Sequence, residues 1–196
     1  TWGGGENMLD IGDYAPYFVT GADILRGTYP GWTNLHTQHV KQYFANVLYP
    51  ASWVPGVLRD HNKGAIQLEI ALGIAAFLDD PVRWNQAVEV YRMDAGGGLR
   101  NSLPNGQVGD AGRDDHWFVQ IQALGWCAEV AWKQGVDLFA EFDNRLLAIG
   151  ELYHRYSIAP HTVQFIPFGG YSAYYTNWGI PPGFRHQSPF NNIIKS

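Results

Sequence analysis

Two short clusters of side chains in this sequence have the types and spacing to do acid–base work on a ligand that carries a carboxylate. Arg59, Asp60, His61, Asn62 and Lys63 stand just before one long apolar run, and Asp110, Arg113, Asp114, Asp115 and His116 just before another. Each cluster therefore falls at a helix start, where free backbone N–H groups and the helix dipole favour an anion. Two such starts at one end, with Arg and Lys beside them, suit a carboxylate. The plainer reading makes Asp60, Asp114 and Asp115 helix caps with Arg59 and Arg113 as their surface partners.

Other chemistries fit the residues less well. Asp114, Asp115 and His116 are consecutive, so they do not face one way at a helix start, and no His-x-x-x-His or Cys pair accompanies them; no metal is expected. The glycines at 3–5 and 96–98 lack the lysine of a P-loop and the spacing of a dinucleotide fingerprint, so no nucleotide cofactor is expected either. Cys127 lies inside an apolar run and reads as a buried, inert thiol.

For the two clusters to share one cleft, the helices that follow them must lie side by side and run the same way. The apolar spacing predicts helices over 14–25, 33–49 (with Thr33 as N-cap and Pro50 and Pro55 as the stop), 62–78, 81–93 (capped by Asp80 with Pro81 at its first turn), 115–132 and 137–156. Across 65–78 the only polar side chains are Gln67 and Glu69, so that helix is apolar nearly all round and is expected to be buried on all sides. The helix over 115–132 is similar, broken by Gln120, Gln122 and Glu129. Residues 94–112 read as a long Gly-rich loop, of the kind that more often carries function than accident. Residues 1–13 and 158–196 read as irregular extensions of a single domain.

The pattern is three helical hairpins, the second and third each pairing a buried helix with an amphipathic one. An incomplete α/α toroid has this form, and a compact orthogonal bundle is the alternative. With 46% hydrophobic and 16% charged residues in 196, the chain is long enough for a core that buries about 70% of its surface. No apolar run approaches the length of a membrane span. A net charge of −5 disfavours non-specific binding to nucleic acid or to an anionic membrane. The abundance of Trp, Tyr and Phe suits a sugar-binding groove, although most such rings pack cores.

The stretch Arg59-Asp-His-Asn-Lys-Gly-Ala-Ile-Gln-Leu-Glu, with Ile74-Ala-Ala-Phe-Leu-Asp-Asp, resembles the Asn-centred helix of alginate-lyase-domain polysaccharide lyases. So do Gly112-Arg-Asp-Asp-His, Ala128-Glu-Val-Ala-Trp-Lys-Gln-Gly-Val-Asp-Leu-Phe and Asp143-Asn-Arg-Leu-Leu. The resemblance covers roughly residues 15–157 and is strongest to polysaccharide lyase family 38, which acts on glucuronan or alginate, and weaker to family 5. It implies an α/α toroid and β-elimination on a uronic acid, without a cofactor. On the matching positions, Asn62 takes the substrate carboxylate, Arg113 adds charge, His116 is base or proton shuttle, and the acid is a tyrosine of the C-terminal segment, Tyr171, Tyr174 or Tyr175. Arg59, His61, Lys63 and Trp117 complete the expected substrate contacts. Lys63 stands where relatives often carry His or Trp, and His61 offers a substitute one position earlier.

The resemblance further implies an acidic polysaccharide as partner and a secreted or periplasmic setting, although the Thr-Trp-Gly-Gly-Gly start carries no signal peptide. The chain is shorter than the family's usual toroid. Its arc is therefore expected to have an apolar edge, covered either by a second copy in a homodimer or by the terminal segments. Two rival functions fit the same residues: a non-catalytic carbohydrate-binding or assembly module, and a glycoside hydrolase using Asp110 or Asp115 with Glu69.

Overall fold

The computed structural model describes residues 5–53, 60–111, 116–159 and 162–168. Among these the regular structure is all helical, the one β-type pairing being an isolated bridge between Ser102 and Val108. In chain order the elements are α1 (Gly5–Thr28), α2 (Asn34–Tyr43), a π turn (Phe44–Leu48), α3 (Tyr49–Ser52), α4 (His61–Leu78), α5 (Pro81–Met93), α6 (His116–Lys133) and α7 (Glu141–Ile158).

α4 is the centre of the core. Every residue from Gly64 to Ala75 is buried, as its all-round apolar sequence requires. Leu68, Ile70, Leu72 and Ile74 are fully enclosed, and each such side chain contributes about 1.5–3 kcal/mol relative to exposure. α6 is more one-sided: Trp117, Gln120, Leu124, Cys127, Ala128 and Ala131 are buried, while Ile121, Trp126 and Val130 stay partly open.

Three helices run in the same direction. Gly12 of α1 lies so close to Ile66 of α4 that a Cβ there would overlap the isoleucine, Val19 lies over Gly73, and the Arg26 guanidinium reaches the Phe77 carbonyl at 3.3 Å. These contacts ascend both helices together, so α1 and α4 are parallel. α4 and α6 are parallel too, because Glu69 neighbours Cys127 and the last turns of both helices line one cavity. α7 returns antiparallel to α6: its Tyr153 and Tyr156 stack on Trp117 at the start of α6, with ring centres 4.8 and 5.5 Å away.

Several boundaries differ from the sequence reading. α1 begins at Gly5 rather than near Tyr14, so most of the segment read as an irregular extension is helical and runs through Pro16. Proline removes one helical hydrogen bond and crowds the carbonyl of Gly12 four residues earlier. The close seat of Gly12 on Ile66 holds that turn in place, and packing overrides the local break. Pro50 does not stop the second helix. The π turn shifts the ladder so that Pro50 falls in the first turn of α3, where no N–H is needed. α7 starts at Glu141 rather than Asp137, because Asp137 Oδ1 accepts the N–H groups of Phe139 and Ala140 and Phe142, Asp143 and Asn144 take left-handed backbone angles.

The cap of α5 follows the sequence closely. Asp80 Oδ1 accepts from the backbone of Val82 and Arg83 at 3.0 Å, and Oδ2 pairs with the Arg83 guanidinium at 2.7 Å. The bond from the Arg83 N–H is the main reason that the Asp80 carboxyl is held below its ordinary range, with the Arg83 side chain adding to it. A carboxylate depressed in the folded state contributes stability above its unfolded pKa and loses it as pH falls through the folded one. Asp80→Ala is therefore expected to cost about 1 kcal/mol at neutral pH and much less below the carboxylate range. Urea midpoints of the two proteins at both pH values check this.

Candidate functional site

The N-terminal end of α4 is held by the Gly-rich loop rather than by its own cap. Asp60 occupies the N-cap position with extended backbone, yet its side chain caps nothing. The Asn62 N–H instead donates to Asp110 Oδ2 at 2.9 Å, a carboxylate 48 residues away in sequence and fully buried. The His61 N–H donates to the Gly96 carbonyl at 2.7 Å. The plain reading of Asp60 as a local cap is thus corrected, and the anion at this helix start is the protein's own Asp110.

His61 is buried and its backbone is left-handed, with φ of 61°. A non-glycine residue there carries strain of order 1 kcal/mol or more, which the surrounding contacts must offset. Those contacts come from the loop. Asn101 Nδ2 lies against both the Gly96 carbonyl and His61 Nδ1, the latter at 3.0 Å. A carbonyl only accepts, so the atom facing it must be the amide nitrogen. His61 Nδ1 then accepts the second amide proton, which leaves the ring proton of a neutral His61 on Nε2.

Two glycines make the approach possible. A Cβ on Gly97 would sit 2.5 Å from the Gly64 Cα of α4, and one on Gly109 would overlap the Asn101 amide and reach 2.7 Å from His61 Nδ1. Asp94 Oδ1 shapes the strap by accepting the N–H groups of Gly96 and Gly97, each at 2.7 Å. The glycines at 96–98 therefore serve close backbone packing, a reason that phosphate-loop spacing does not test.

Asn62 is 1% exposed and its Nδ2 has no hydrogen-bond partner among the described residues; Gln120 of α6 is 0% exposed and neither side-chain polar atom has one among them. The two are level. Asn62 lies seven residues, two helical turns, before Glu69, and Gln120 lies seven before Cys127, the neighbour of Glu69 on the parallel helix. Buried amides left without a partner cost about 1–3 kcal/mol each, and such groups in native proteins call for an explanation. Sequence reasoning singled out Asn62 but missed Asn101 and Gln120. A glutamine interrupting an apolar helix was the one available signal for the latter.

The structure brings His61, Asn62 and Asp110 together and sets half-buried Lys63 and His116 at the starts of α4 and α6. His61 braces the loop instead of lining an open cleft. Trp117 is a core residue, 1% exposed between Tyr153 and Tyr156, and has no ring face for a sugar. Tyr156 is likewise core, its hydroxyl pushed up to about 12 by burial. Arg59, Arg113, Asp114, Asp115, Tyr171, Tyr174 and Tyr175 lie outside the described residues.

A cavity of about 360 Å³ opens at the other end, between α1, α4 and α6, over a floor that includes Val19, Ile70 and Phe77. Its charged lining carries Asp23, Glu69, Asp79 and Glu129 against Arg26 and Lys133, an acidic excess. Cys127 is buried behind it, its thiol pushed well up first by burial and then by Glu69, so it stays protonated and unreactive. Among the described residues no three His, Cys, Asp or Glu side chains are grouped to hold a metal, and no helix is long and apolar enough to cross a membrane.

No family model, curated protein or solved structure matches this chain.

Proposed function

We propose that the chain is a polysaccharide lyase that cleaves a polyuronate, glucuronan or alginate, by β-elimination on an arc of an α/α toroid. The observation that carries this reading is the Asn62 amide: buried, without a partner among the described residues, and in the first turn of a helix whose parallel neighbour starts with His116. The parallel run of α1, α4 and α6, with α7 returning beside α6, is the arrangement successive toroid hairpins have, and it supports the arc.

The C5 proton of a uronic acid is too weakly acidic to remove until the charge of its carboxylate is balanced. In the proposed reaction Asn62 donates to that carboxylate, the dipole of α4 adds partial positive charge, and Lys63 and Arg113 contribute full charges. His116 takes the C5 proton. The electron pair of the broken C5–H bond forms the C4=C5 double bond, the C4–O bond breaks, and a C-terminal tyrosine, Tyr171, Tyr174 or Tyr175, protonates the departing glycosidic oxygen. A polyanionic chain is expected to avoid the acidic cavity at the far end.

The hydrolase alternative is less well supported, because one oxygen of Asp110 accepts from the Asn62 backbone at the start of α4, whereas Glu69, two turns further on, lines the cavity at the other end. A polyuronate outside the cell also makes a secreted or periplasmic setting part of the proposal. Incubation with glucuronan and with alginate should raise absorbance in the unsaturated-uronate band, and His116→Ala should abolish the rise with an unchanged circular-dichroism spectrum. Binding seen by calorimetry, with no product from either polymer, would support the carbohydrate-binding module instead.

A further inference from the structure

We propose that a second copy of this chain covers the outer face of α1, forming an antiparallel helix pair about a two-fold axis at Gly21. α1 is apolar on two opposite sides. Ala15 and Val19 are buried in the core, whereas Tyr14, Tyr17, Phe18, Ile24 and Leu25 are 47–67% exposed. Helical spacing places these five on one stripe, with Gly21 at its centre. A Cβ on Gly21 would meet nothing within 4 Å, so nothing among the described residues fills that position.

The stripe is complementary to itself. Phe18 and Ile24 lie three residues either side of Gly21, and Tyr17 and Leu25 four. A two-fold antiparallel pairing brings Phe18 against Leu25 of the second copy and Tyr17 against its Ile24, an aromatic ring on an aliphatic side chain at both ends. Glycine at the axis lets the two backbones approach closely.

The area is sufficient. At about 200 Å² for a fully exposed large side chain, the five exposed fractions amount to roughly 600 Å² on each copy, which reaches the ~1,200 Å² at which stable interfaces begin. Val82, Leu147 and Ile158, also exposed, lie on other helices and do not extend this stripe. The pairing is independent of the proposed substrate, since the site at the start of α4 lies on another helix.

Sedimentation velocity across the micromolar range tests it. The chain is expected to show a monomer–dimer equilibrium. Phe18→Glu and Leu25→Lys, both at exposed positions, should each raise the dissociation midpoint roughly a hundredfold with unchanged helix content. An equimolar mixture of the two variants should associate again, because the introduced acid then faces the introduced base across the pair. A wild-type chain that stays monomeric overturns the proposal, whatever other segment then covers the stripe. So does a dimer indifferent to Phe18→Glu, or a mixture that fails to associate.

Discussion

Asn62→Ala is expected to reduce unsaturated-product formation a hundredfold or more while leaving the protein as stable as before. The two effects separate because the side chain and the backbone of this residue do different things. The backbone N–H is bonded to Asp110 and survives the substitution, whereas Nδ2 donates to nothing among the described residues. Removing a buried donor that has no partner sacrifices no folded-state bond, and alanine suits a first helical turn at least as well as asparagine, so the change in stability should stay within about 1 kcal/mol. In the proposed elimination the same donor is assigned to the substrate carboxylate, onto which charge spreads. Loss of one such donor costs about 10²–10³ in kcat. Initial rates on glucuronan, set beside a thermal melt, give both numbers from one preparation. A variant that loses activity and folding together would make Asn62 a structural residue.

Gly97→Ala is expected to show the opposite pattern, a large loss of stability that takes activity with it. Its Cβ would lie 2.5 and 2.6 Å from the Cα and carbonyl carbon of Gly64 and 2.9 Å from the Ala65 nitrogen. All three are backbone atoms of the most buried helix, so no side chain can swing aside. The loop must lift, and with it go the Asn101 bond to His61, the Gly96 bond to the His61 N–H and the Asp110 bond to the Asn62 N–H. An overpacked contact of this kind costs about 3 kcal/mol. Gly125→Ala in α6 is the matched control, because a Cβ there meets nothing within 4 Å and alanine is the better helix former by about 1 kcal/mol. Urea midpoints should move down for the first and up for the second.

The helices were legible where one physical signal dominated. Apolar residues all round 65–78 announced a buried helix, and Asp80 before Pro81 announced a capped start; both hold in the structure. The sequence reading failed where a distant contact outweighed the local rule. Gly12 seated on Ile66 keeps α1 helical through Pro16, and a π turn carries the chain through Pro50. At the site, the types of residue were legible and their partners were not. Asp110 belonged to the second cluster on sequence grounds, yet it caps the first, because the 94–111 loop folds back over α4 through glycines whose role appears only when the two backbones meet. His61 seemed a substrate contact and is a brace, since nothing in its neighbours' identities encodes a left-handed backbone angle.

Elimination, as proposed for this helix-start cluster, and hydrolysis are separated by the masses of the products. After incubation of glucuronan oligosaccharides with the protein, β-elimination predicts fragment pairs whose masses sum to that of the substrate, the new non-reducing end being lighter by one water than a saturated one. Fragments that together gain one water would contradict the account in favour of hydrolysis, and intact oligosaccharides from glucuronan and alginate alike would contradict it in favour of binding without catalysis.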